Sequence, residues 1–192
     1  QTEIAYDLIK ECKINLQKKS RVNLNLPDKK ISIIPNNKKL VTIHIPDRWI
    51  NNYYNEEKFL KLISLLPKKK YIYVLTTDNS TKNKFKKIFK IFNSFNNKSF
   101  ESIKKLKKSI VIFEKLNYKN WVKVLYSSYK IITPECGCSH LGAACKVPIS
   151  IIYNADNLPE AIYKEYQPYK SNHKKFIFNE KNLNSKILKI LN

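Results

Sequence analysis

The sequence predicts an α/β domain with a doubly wound parallel sheet of about six strands. From Leu40 onward, short β-branched apolar runs alternate with longer segments whose apolar residues recur at helical spacing. This alternation is typical of βαβ units. Apolar residues make up 43% of the chain, enough for an ordinary core. The longest uninterrupted apolar runs are only a few residues long, which excludes a membrane-spanning helix.

The elements are predicted from these runs in chain order. Continuous β-branched runs predict strands at 40–45, 71–76, 109–113, 129–133 and 147–153, with a weaker sixth at 175–178. Helical spacing of apolar residues predicts helices at 56–66, 81–95, 121–128, 140–146 and 183–191.

The first 39 residues differ from the rest. Residues 2–13 read as a short amphipathic helix, and the polar stretch that follows contains two short extended pieces, 22–26 and 31–34. We therefore expect an inter-domain helix and linker over 1–39 and a globular domain over 40–192. Methionine is absent, even at position 1, so we expect a processed chain or a piece of a longer one.

The chain is strongly basic, with 37 Lys and Arg against 15 Asp and Glu and a net charge of +22. Such a charge attracts anionic lipid, phosphorylated ligands or nucleic acid. Only Arg21 and Arg48 are arginines, whereas nucleic-acid readers favour arginine for bidentate contacts. The four cysteines, in a chain with no secretion signal, indicate reduced thiols and a cytoplasmic location.

The loop after the predicted fourth strand carries the strongest candidate site. Ligands of open parallel sheets bind at the carboxyl ends of the strands. Here Gly137, one of two glycines in the chain, precedes a helix that begins at Cys138 or Ser139. Free amides at that helix end would bind an anion, His140 could donate to a phosphate, and Glu135 could accept from a sugar hydroxyl. The alternative is an ordinary turn capped by a serine.

The same segment also invites a metal interpretation. Cys136, Cys138, His140 and Cys145 are all possible zinc ligands. Their C-x-C-x-H spacing is not one of the common structural zinc patterns, so we predict no metal.

Two other loops carry candidate residues. Arg48, one of only two arginines in the chain, follows the first strand. We expect its guanidinium to bind a phosphate or carboxylate, or else to pack on Trp49. Glu114 follows the third strand and could bind a ribose or base edge, or else be an exposed loop carboxylate.

Residues 131–148 resemble the C-terminal half of glycosyltransferase family 9, the ADP-heptose lipopolysaccharide heptosyltransferases and their relatives. The similarity lies in a strand, an acidic residue, a small residue, a glycine, two residues, a histidine, an Ala-rich helix and a proline before the next strand. Residues 149–153, 167–169 and 55–63 match further parts of the family pattern. The family's phosphate-binding lysine falls near Asn52, where Arg48 would have to substitute for it.

The resemblance implies a GT-B enzyme of two Rossmann-like domains, of which this chain is the nucleotide-sugar half without the N-terminal acceptor domain. It implies donor contacts at Glu135, Cys136, Gly137 and His140, in the loop that carries Arg48 and Asn52, and near Glu114. The helix-start residues Cys138 and Ser139 are further candidates for donor binding. Catalytic roles fall to His140 and Arg48, which would stabilise the departing diphosphate.

We therefore expect an inverting, metal-independent glycosyltransferase without a cofactor other than its nucleotide diphosphate sugar donor. Its sugar would be heptose or a related one, and its acceptor lipopolysaccharide or another surface glycan. The expected location is the cytoplasm, with the basic surface resting on the anionic inner membrane. The alternatives are a basic nucleic-acid-binding α/β domain, which the lack of an RNP-type motif argues against, and a degenerate fold kept for assembly.

Overall fold

The computed structural model describes residues 26–49, 54–78, 81–154, 158–168, 171–178 and 182–191. The predicted helix at 2–13 lies outside these residues, as does nearly all of the extended piece at 22–26. The statements that follow concern the described residues alone.

Seven strands form one sheet in which every neighbouring pair is parallel. The strands are β1 (Lys39–Ile45), β2 (Tyr71–Thr77), β3 (Ser94–Phe95), β4 (Ile110–Phe113), β5 (Lys130–Pro134), β6 (Ile149–Tyr153) and β7 (His173–Ile177). Their order across the sheet is β3-β4-β2-β1-β5-β6-β7. The doubly wound parallel sheet is confirmed.

Eight helices connect or follow these strands in the described part of the chain. They are α1 (Glu56–Leu65), α2 (Thr81–Lys84), α3 (Lys86–Ile91), α4 (Asn97–Ser102), α5 (Tyr118–Ser127), α6 (Gly137–Ala144), α7 (Pro159–Tyr166) and α8 (Leu183–Leu191). No helix among them has the length and apolarity needed to cross a bilayer.

The single helix predicted at 81–95 is wrong. The chain forms two short helices that separate at Phe85, whose backbone has φ −104° and ψ 52°, and it then enters strand β3. The apolar residues still face inward, because Phe85 and Ile88 are both fully buried against the face that carries α1. The apolar spacing identified the buried face correctly but did not reveal the break.

The extended piece predicted at 31–34 is not a strand. It is an irregular segment that packs on the domain, because Ile33 is buried and its carbonyl accepts from the Leu106 amide at 2.7 Å. The Ile31 amide also donates to the Ser127 hydroxyl at 2.9 Å.

Both faces of the sheet are covered. Helices α1, α3 and α8 bury Phe59, Ile88 and Ile187 against one face, and α5 and α6 bury Leu125 and Leu141 against the other. A sheet that is buried on both faces has continuous apolar strands rather than alternating ones, as the β-branched runs predicted.

The strand order reverses direction between β1 and β5. From β1 the chain builds the sheet outward through β2 and β4, and it then returns to place β5 on the other side of β1. The loops that follow β1 and β5 therefore leave in opposite directions and open a crevice at the carboxyl edge. The segments after Ile45 and Pro134 border this crevice.

Helix α6 packs very closely on β5 and β6 because Gly142 has no side chain. A Cβ atom at Gly142 would lie 2.7 Å from the Ile131 Cδ1 and 3.3 Å from the Ile149 Cδ1. Both isoleucines are buried, at 0% and 2% exposure, so their methyl groups would have to shift within the core. This confirms that the small face of the helix allows a close approach to the sheet.

Replacing Gly142 with Ala should destabilise the fold. Overpacking a filled core costs about 1–3 kcal/mol, which outweighs the better helix propensity of alanine, about 1 kcal/mol. Urea unfolding followed by circular dichroism measures the free energy of unfolding. A variant as stable as the wild type would show that the helix can move off the sheet without cost.

Candidate functional site

The amino end of α6 has no side-chain cap. Cys136 is the N-cap residue, with an extended backbone at φ −170° and ψ −179°, and its side chain makes no capping hydrogen bond. Ser139 does not supply one either, because its hydroxyl donates to the Cys136 carbonyl at 2.7 Å. The Ser139 amide donates to that same carbonyl at 3.0 Å. The alternative of a serine-capped turn is therefore wrong.

The side chains of two predicted site residues in this turn are buried. Cys138 and Ser139 are both 0% exposed, and the Cys138 side chain packs in the core between α6 and the sheet. Burial raises the pKa of the Cys138 thiol well above its usual value. The first turn of the helix directs both side chains inward, so only the backbone amides of these residues could meet a ligand, as the predicted anion site at the helix start requires.

A cavity of about 540 Å³ lies in front of this helix end. It is lined by Arg48, Glu135, Cys136, Gly137, His140, Ile162 and Tyr166. The first five were predicted as site residues, and the structure brings them together from the loops after β1 and β5. The cavity therefore occupies the crevice at which the strand order reverses.

Ile162 and Tyr166 belong to α7, which the sequence prediction missed. Pro159 stands at the start of this helix and Glu160 in its first turn, a typical helix-start signal. Tyr163 anchors α7 by packing edge-on against Tyr153, with ring centroids 5.5 Å apart. The missed helix supplies the apolar wall of the cavity.

Gly137 leaves open space in this cavity. Its φ is not positive, and a Cβ atom built on it would meet no protein atom within 4 Å. Neither the bend of the backbone nor internal packing thus requires a glycine here. A side chain at this position would extend into the open space of the cavity instead.

Arg48 joins the two sides of the crevice. Its Nη1 donates to the Glu135 carboxylate at 2.7 Å and to the Glu135 backbone carbonyl, also at 2.7 Å. The Arg48 side chain is 46% exposed, whereas that of Glu135 is only 11% exposed. The predicted carboxylate partner of Arg48 is thus Glu135 of the same chain. The alternative prediction had Arg48 packing on Trp49. The Trp49 ring is buried against Tyr54 and Phe59 instead, and Arg48 is held by Glu135.

His140 and Cys136 border the cavity with different properties. Partial burial lowers the pKa of His140, so its imidazole is neutral at neutral pH and donates through one ring nitrogen. Burial raises the pKa of the Cys136 thiol, against the opposing effects of the Thr133 hydroxyl, the Cys138 and Ser139 amides and Arg48. Cys136 is therefore a neutral thiol rather than a nucleophile.

Glu114, another predicted site residue, does not line this cavity. Asn52 lies outside the described residues. Glu114 follows β4, and its side chain is 13% exposed and 3.4 Å from the Lys82 Nζ, so it is not the exposed carboxylate of the alternative interpretation.

A second cavity, of about 280 Å³, lies at the same edge of the sheet near Glu114. It is lined by His44, Thr76, Thr77, Asp78, Phe113, Lys115, Leu116 and Trp121. The His44 Nδ1 lies 3.0 Å from the Thr76 hydroxyl, and its ring packs on that of Trp121 at 5.3 Å between centroids. Burial lowers the pKa of His44 to about 4, although Asp78 and Thr76 act in the opposite direction.

A third cavity, of about 550 Å³, lies between residues 26–29 and α5. None of the predicted site residues lines it.

Buried polar atoms without a partner are concentrated at the carboxyl edge. In the described residues, four buried side-chain atoms lack a hydrogen bond: Asp47 Oδ1, Thr77 Oγ1, Trp121 Nε1 and Tyr153 OH. Asp47 follows β1, Thr77 and Tyr153 end β2 and β6, and Trp121 lines the second cavity. Burying such groups unpaired costs free energy, so water or a ligand is expected to supply their partners. Over the same residues, no three His, Cys, Asp or Glu side chains are grouped to hold a metal ion.

Three solved structures of glycosyltransferases share this fold. The glycosyl transferase family 9 structure from Veillonella parvula DSM 2008 matches 90% of this chain with a TM-score of 0.63 and 13% identity. E. coli heptosyltransferase WaaC with ADP matches 87% with a TM-score of 0.57 and 16% identity, and E. coli ADP-heptose lps heptosyltransferase II matches 82% with a TM-score of 0.55 and 10% identity. No family model and no curated protein sequence matches the chain.

The chain has the α/β fold of one half of these enzymes. It spans 47%, 45% and 46% of their respective lengths. The identities are low, so the likeness establishes the fold, and the resemblance drawn from residues 131–148 agrees with it.

The low pKa of His44 predicts that the fold loses stability in acid. Between about pH 6.5 and about pH 4, an unfolded chain binds a proton at His44 that the folded chain does not, so stability falls as pH falls. The loss reaches up to about 3 kcal/mol by pH 4. The measurement is the free energy of unfolding in urea across this range, compared with that of His44→Asn. The variant should show a weaker pH dependence, and parallel curves would contradict the prediction.

Proposed function

We propose that this chain is the donor-binding domain of an inverting, metal-independent glycosyltransferase. Its donor is a nucleoside diphosphate sugar, with heptose or a related sugar, and its acceptor is lipopolysaccharide or another surface glycan. The cavity at the strand-order reversal carries this proposal, because it combines the uncapped amide end of α6, His140 and Arg48 around the open space at Gly137. The shared fold with family 9 enzymes supports the choice of reaction class.

The proposed reaction is a direct displacement at the anomeric carbon. An acceptor oxygen forms a bond to that carbon while the bond to the diphosphate oxygen breaks, and its electron pair leaves with the diphosphate. The acceptor's proton goes to a base on the acceptor domain. Within this chain, the Gly137 amide, the His140 N–H and the Arg48 guanidinium are aimed at the charge that develops on the diphosphate, and preorganised donors of this kind are usually the largest catalytic contribution.

The second cavity suits the nucleoside end of the same donor. It lies at the carboxyl edge of β2 and β4, beside Glu114, and two of its lining residues, Trp121 and Thr77, each have a buried polar atom without a hydrogen-bond partner in the described residues. A nucleobase carries acceptors that could pair with the Trp121 Nε1–H, and it carries both donors and acceptors that could pair with the Thr77 hydroxyl.

The net charge of +22 supports a peripheral position on the anionic inner leaflet, where lipid-linked acceptors lie. The same charge favours nucleic acid as the second candidate ligand. Nucleic-acid binding would weaken steeply with salt and show no preference for nucleotide sugars.

A thermal-shift panel of ADP-, UDP- and GDP-sugars tests the proposal. A ligand that binds only the folded state raises the unfolding midpoint, because at a hundredfold excess over Kd it adds about 2.7 kcal/mol to the free energy of unfolding. Gly137→Ala should lose most of this shift because its methyl group enters the cavity, while its stability without ligand stays equal or rises by less than about 1 kcal/mol.

Gly142→Ala is the matched control on the same helix. It should lower stability yet keep the ligand-induced shift, because Gly142 faces the sheet and not the cavity. If no sugar nucleotide shifts the wild-type midpoint, the proposal is wrong, and if Gly137→Ala keeps the full shift, the ligand does not lie at the end of α6.

His140→Ala should weaken binding of the responding nucleoside diphosphate about tenfold, the value of one hydrogen bond to a charged phosphate. His140→Gln, which keeps an N–H donor, should recover part of the loss. Isothermal titration calorimetry measures both, and equal affinities in all three proteins would remove His140 from the diphosphate site.

A further inference from the structure

The two edges of the sheet carry different charges. In a parallel sheet every helix-to-strand connection lies at the amino edge, where the strands begin, and every strand-to-helix connection lies at the carboxyl edge. The four connections that lead from a helix into β2, β4, β5 and β6 together contain eight lysines and no Asp or Glu. These connections are residues 66–70, 103–109, 128–129 and 145–148, and their lysines are Lys68, Lys69, Lys70, Lys104, Lys105, Lys107, Lys108 and Lys146.

Carboxylates lie at the opposite edge, where the strands end. Asp47, Asp78, Glu114 and Glu135 follow β1, β2, β4 and β5 directly or within two residues. Each has a partner within the chain. Asp78 accepts from the Thr81 amide at 2.9 Å, and the other three form ion pairs with Lys84, Lys82 and Arg48. The charges beside the donor cavity are thus largely paired.

The lysines of the amino edge are unpaired. All eight are exposed, and none forms an ion pair within the described residues. Strands β4, β2, β1, β5 and β6 are consecutive in the sheet, and β1 and β5 themselves begin with Lys39 and Lys130. Because neighbouring strands lie about 4.8 Å apart, these ten cations form a row about 20 Å wide, which we call the lysine edge. Burial, and after it the Lys174 charge, lowers the pKa of Lys130, so cations at this edge repel one another.

The helix ends at this edge do not account for the lysines. A cation stabilises a helix when it lies in the last turn, within reach of the free carbonyls. The last turns of α1, α4, α5 and α6, which end at the four connections, contain no basic residue. The lysines lie beyond the helices, where they concentrate positive charge without forming ion pairs inside the described fold.

Exposed apolar groups accompany the lysines. Leu65, the last residue of α1, is 51% exposed, and Tyr129, just before β5, is 43% exposed. The Tyr129 ring stacks on Tyr71, and the Lys39 Nζ lies 4.3 Å from its centroid. Tyrosine, leucine and the long apolar stem of lysine all suit the boundary between headgroups and acyl chains. Nucleic-acid contacts favour arginine, which the four connections lack.

We propose that the lysine edge is the surface by which this chain docks on an anionic lipid bilayer. The lysine ammonium groups pair with lipid phosphates, while Leu65 and Tyr129 enter the headgroup region. Docking by this edge leaves the donor cavity uncovered, because the seven residues of β1 separate the two edges by about 20 Å. The inference rests on the membrane position in the proposed function and names the surface that provides it.

Vesicle co-sedimentation of the full chain tests this surface. The wild type should bind vesicles of phosphatidylcholine with about 30% phosphatidylglycerol and should not bind vesicles of phosphatidylcholine alone. In the edge variant, Lys69, Lys70, Lys107 and Lys108 are all replaced by Gln. A lysine near an anionic surface strengthens binding about fivefold, so this variant should bind at least about a hundredfold more weakly.

A control variant removes the same charge from the other side of the domain. It carries Lys58→Gln, Lys86→Gln, Lys98→Gln and Lys119→Gln, four exposed lysines at the amino ends of α1, α3, α4 and α5. Charges that lie farther than the screening length of about 8 Å from the bilayer contribute little, so its affinity should stay within about threefold of the wild type. Both variants should keep the wild-type unfolding midpoint, because glutamine and lysine have similar helix propensity and all the sites are exposed.

Leu65→Ser distinguishes a bilayer from nucleic acid. Removing a half-exposed leucine from the headgroup region should weaken vesicle binding about fivefold. The same substitution should leave the affinity for a duplex oligonucleotide unchanged, because phosphate contacts do not involve an apolar side chain.

The outcomes separate this inference from the donor proposal. A wild type that does not bind the anionic vesicles overturns the inference, as does an edge variant that binds like the wild type or a control variant that loses as much. Duplex binding that the edge variant loses, together with vesicle binding that Leu65→Ser does not change, assigns the surface to nucleic acid and also overturns it. The sugar-nucleotide thermal shift should be the same in the wild type and the edge variant. A wild type without that shift overturns the donor proposal and leaves the docking surface standing.

Discussion

The site depends on one topological constraint, the reversal of strand order between β1 and β5. It separates the loops after these strands, and the Arg48–Glu135 ion pair then spans the gap between them at 2.7 Å. The Glu135 carboxylate is buried and the Arg48 guanidinium is half exposed, so the two groups differ in what else they can bind. Arg48 can reach water or an anion in the crevice, whereas the Glu135 carboxylate stays inside the protein. An anion that enters the crevice therefore competes with Glu135 for the Arg48 guanidinium.

Much of the fold could be predicted from the chain because strands buried on both faces leave a strong local signal. The β-branched runs located β1, β2, β4, β5 and β6 closely, and residues 183–191 matched α8. Short elements gave no such signal. Strand β3 has two residues, and the Phe85 break leaves the apolar spacing of the segment intact, so only the neighbouring strand and helices determine the structure there. Helix α7 has no fully buried residue, and its apolar stripe was correspondingly weak.

The arrangement of the candidate site was predicted in outline, and the features that the sequence did not reveal depend on tertiary structure. Glycine scarcity and strand ends located the turn at Gly137, and five predicted residues line the cavity. Which side of the first helical turn faces out depends on where the helix begins, and a start at Gly137 buries Cys138 and Ser139. The pairing of Arg48 with Glu135 joins positions 87 residues apart, which local patterns cannot reveal. The unpaired Tyr153 hydroxyl depends on tertiary packing in the same way.

The cavity wall formed by α7 differs from the others in how it is held. It contributes Ile162 and Tyr166 from a helix without a buried residue, fastened by Tyr163 and by the Lys175–Glu160 ion pair at 2.7 Å. The opposite wall belongs to the close-packed α6, in which even one methyl group at Gly142 has no room. Substitutions at Ile162 and Tyr166 should therefore cost the fold less than substitutions on α6. If the cavity binds the proposed donor, this wall can change to fit other donors while the end at α6 stays constant.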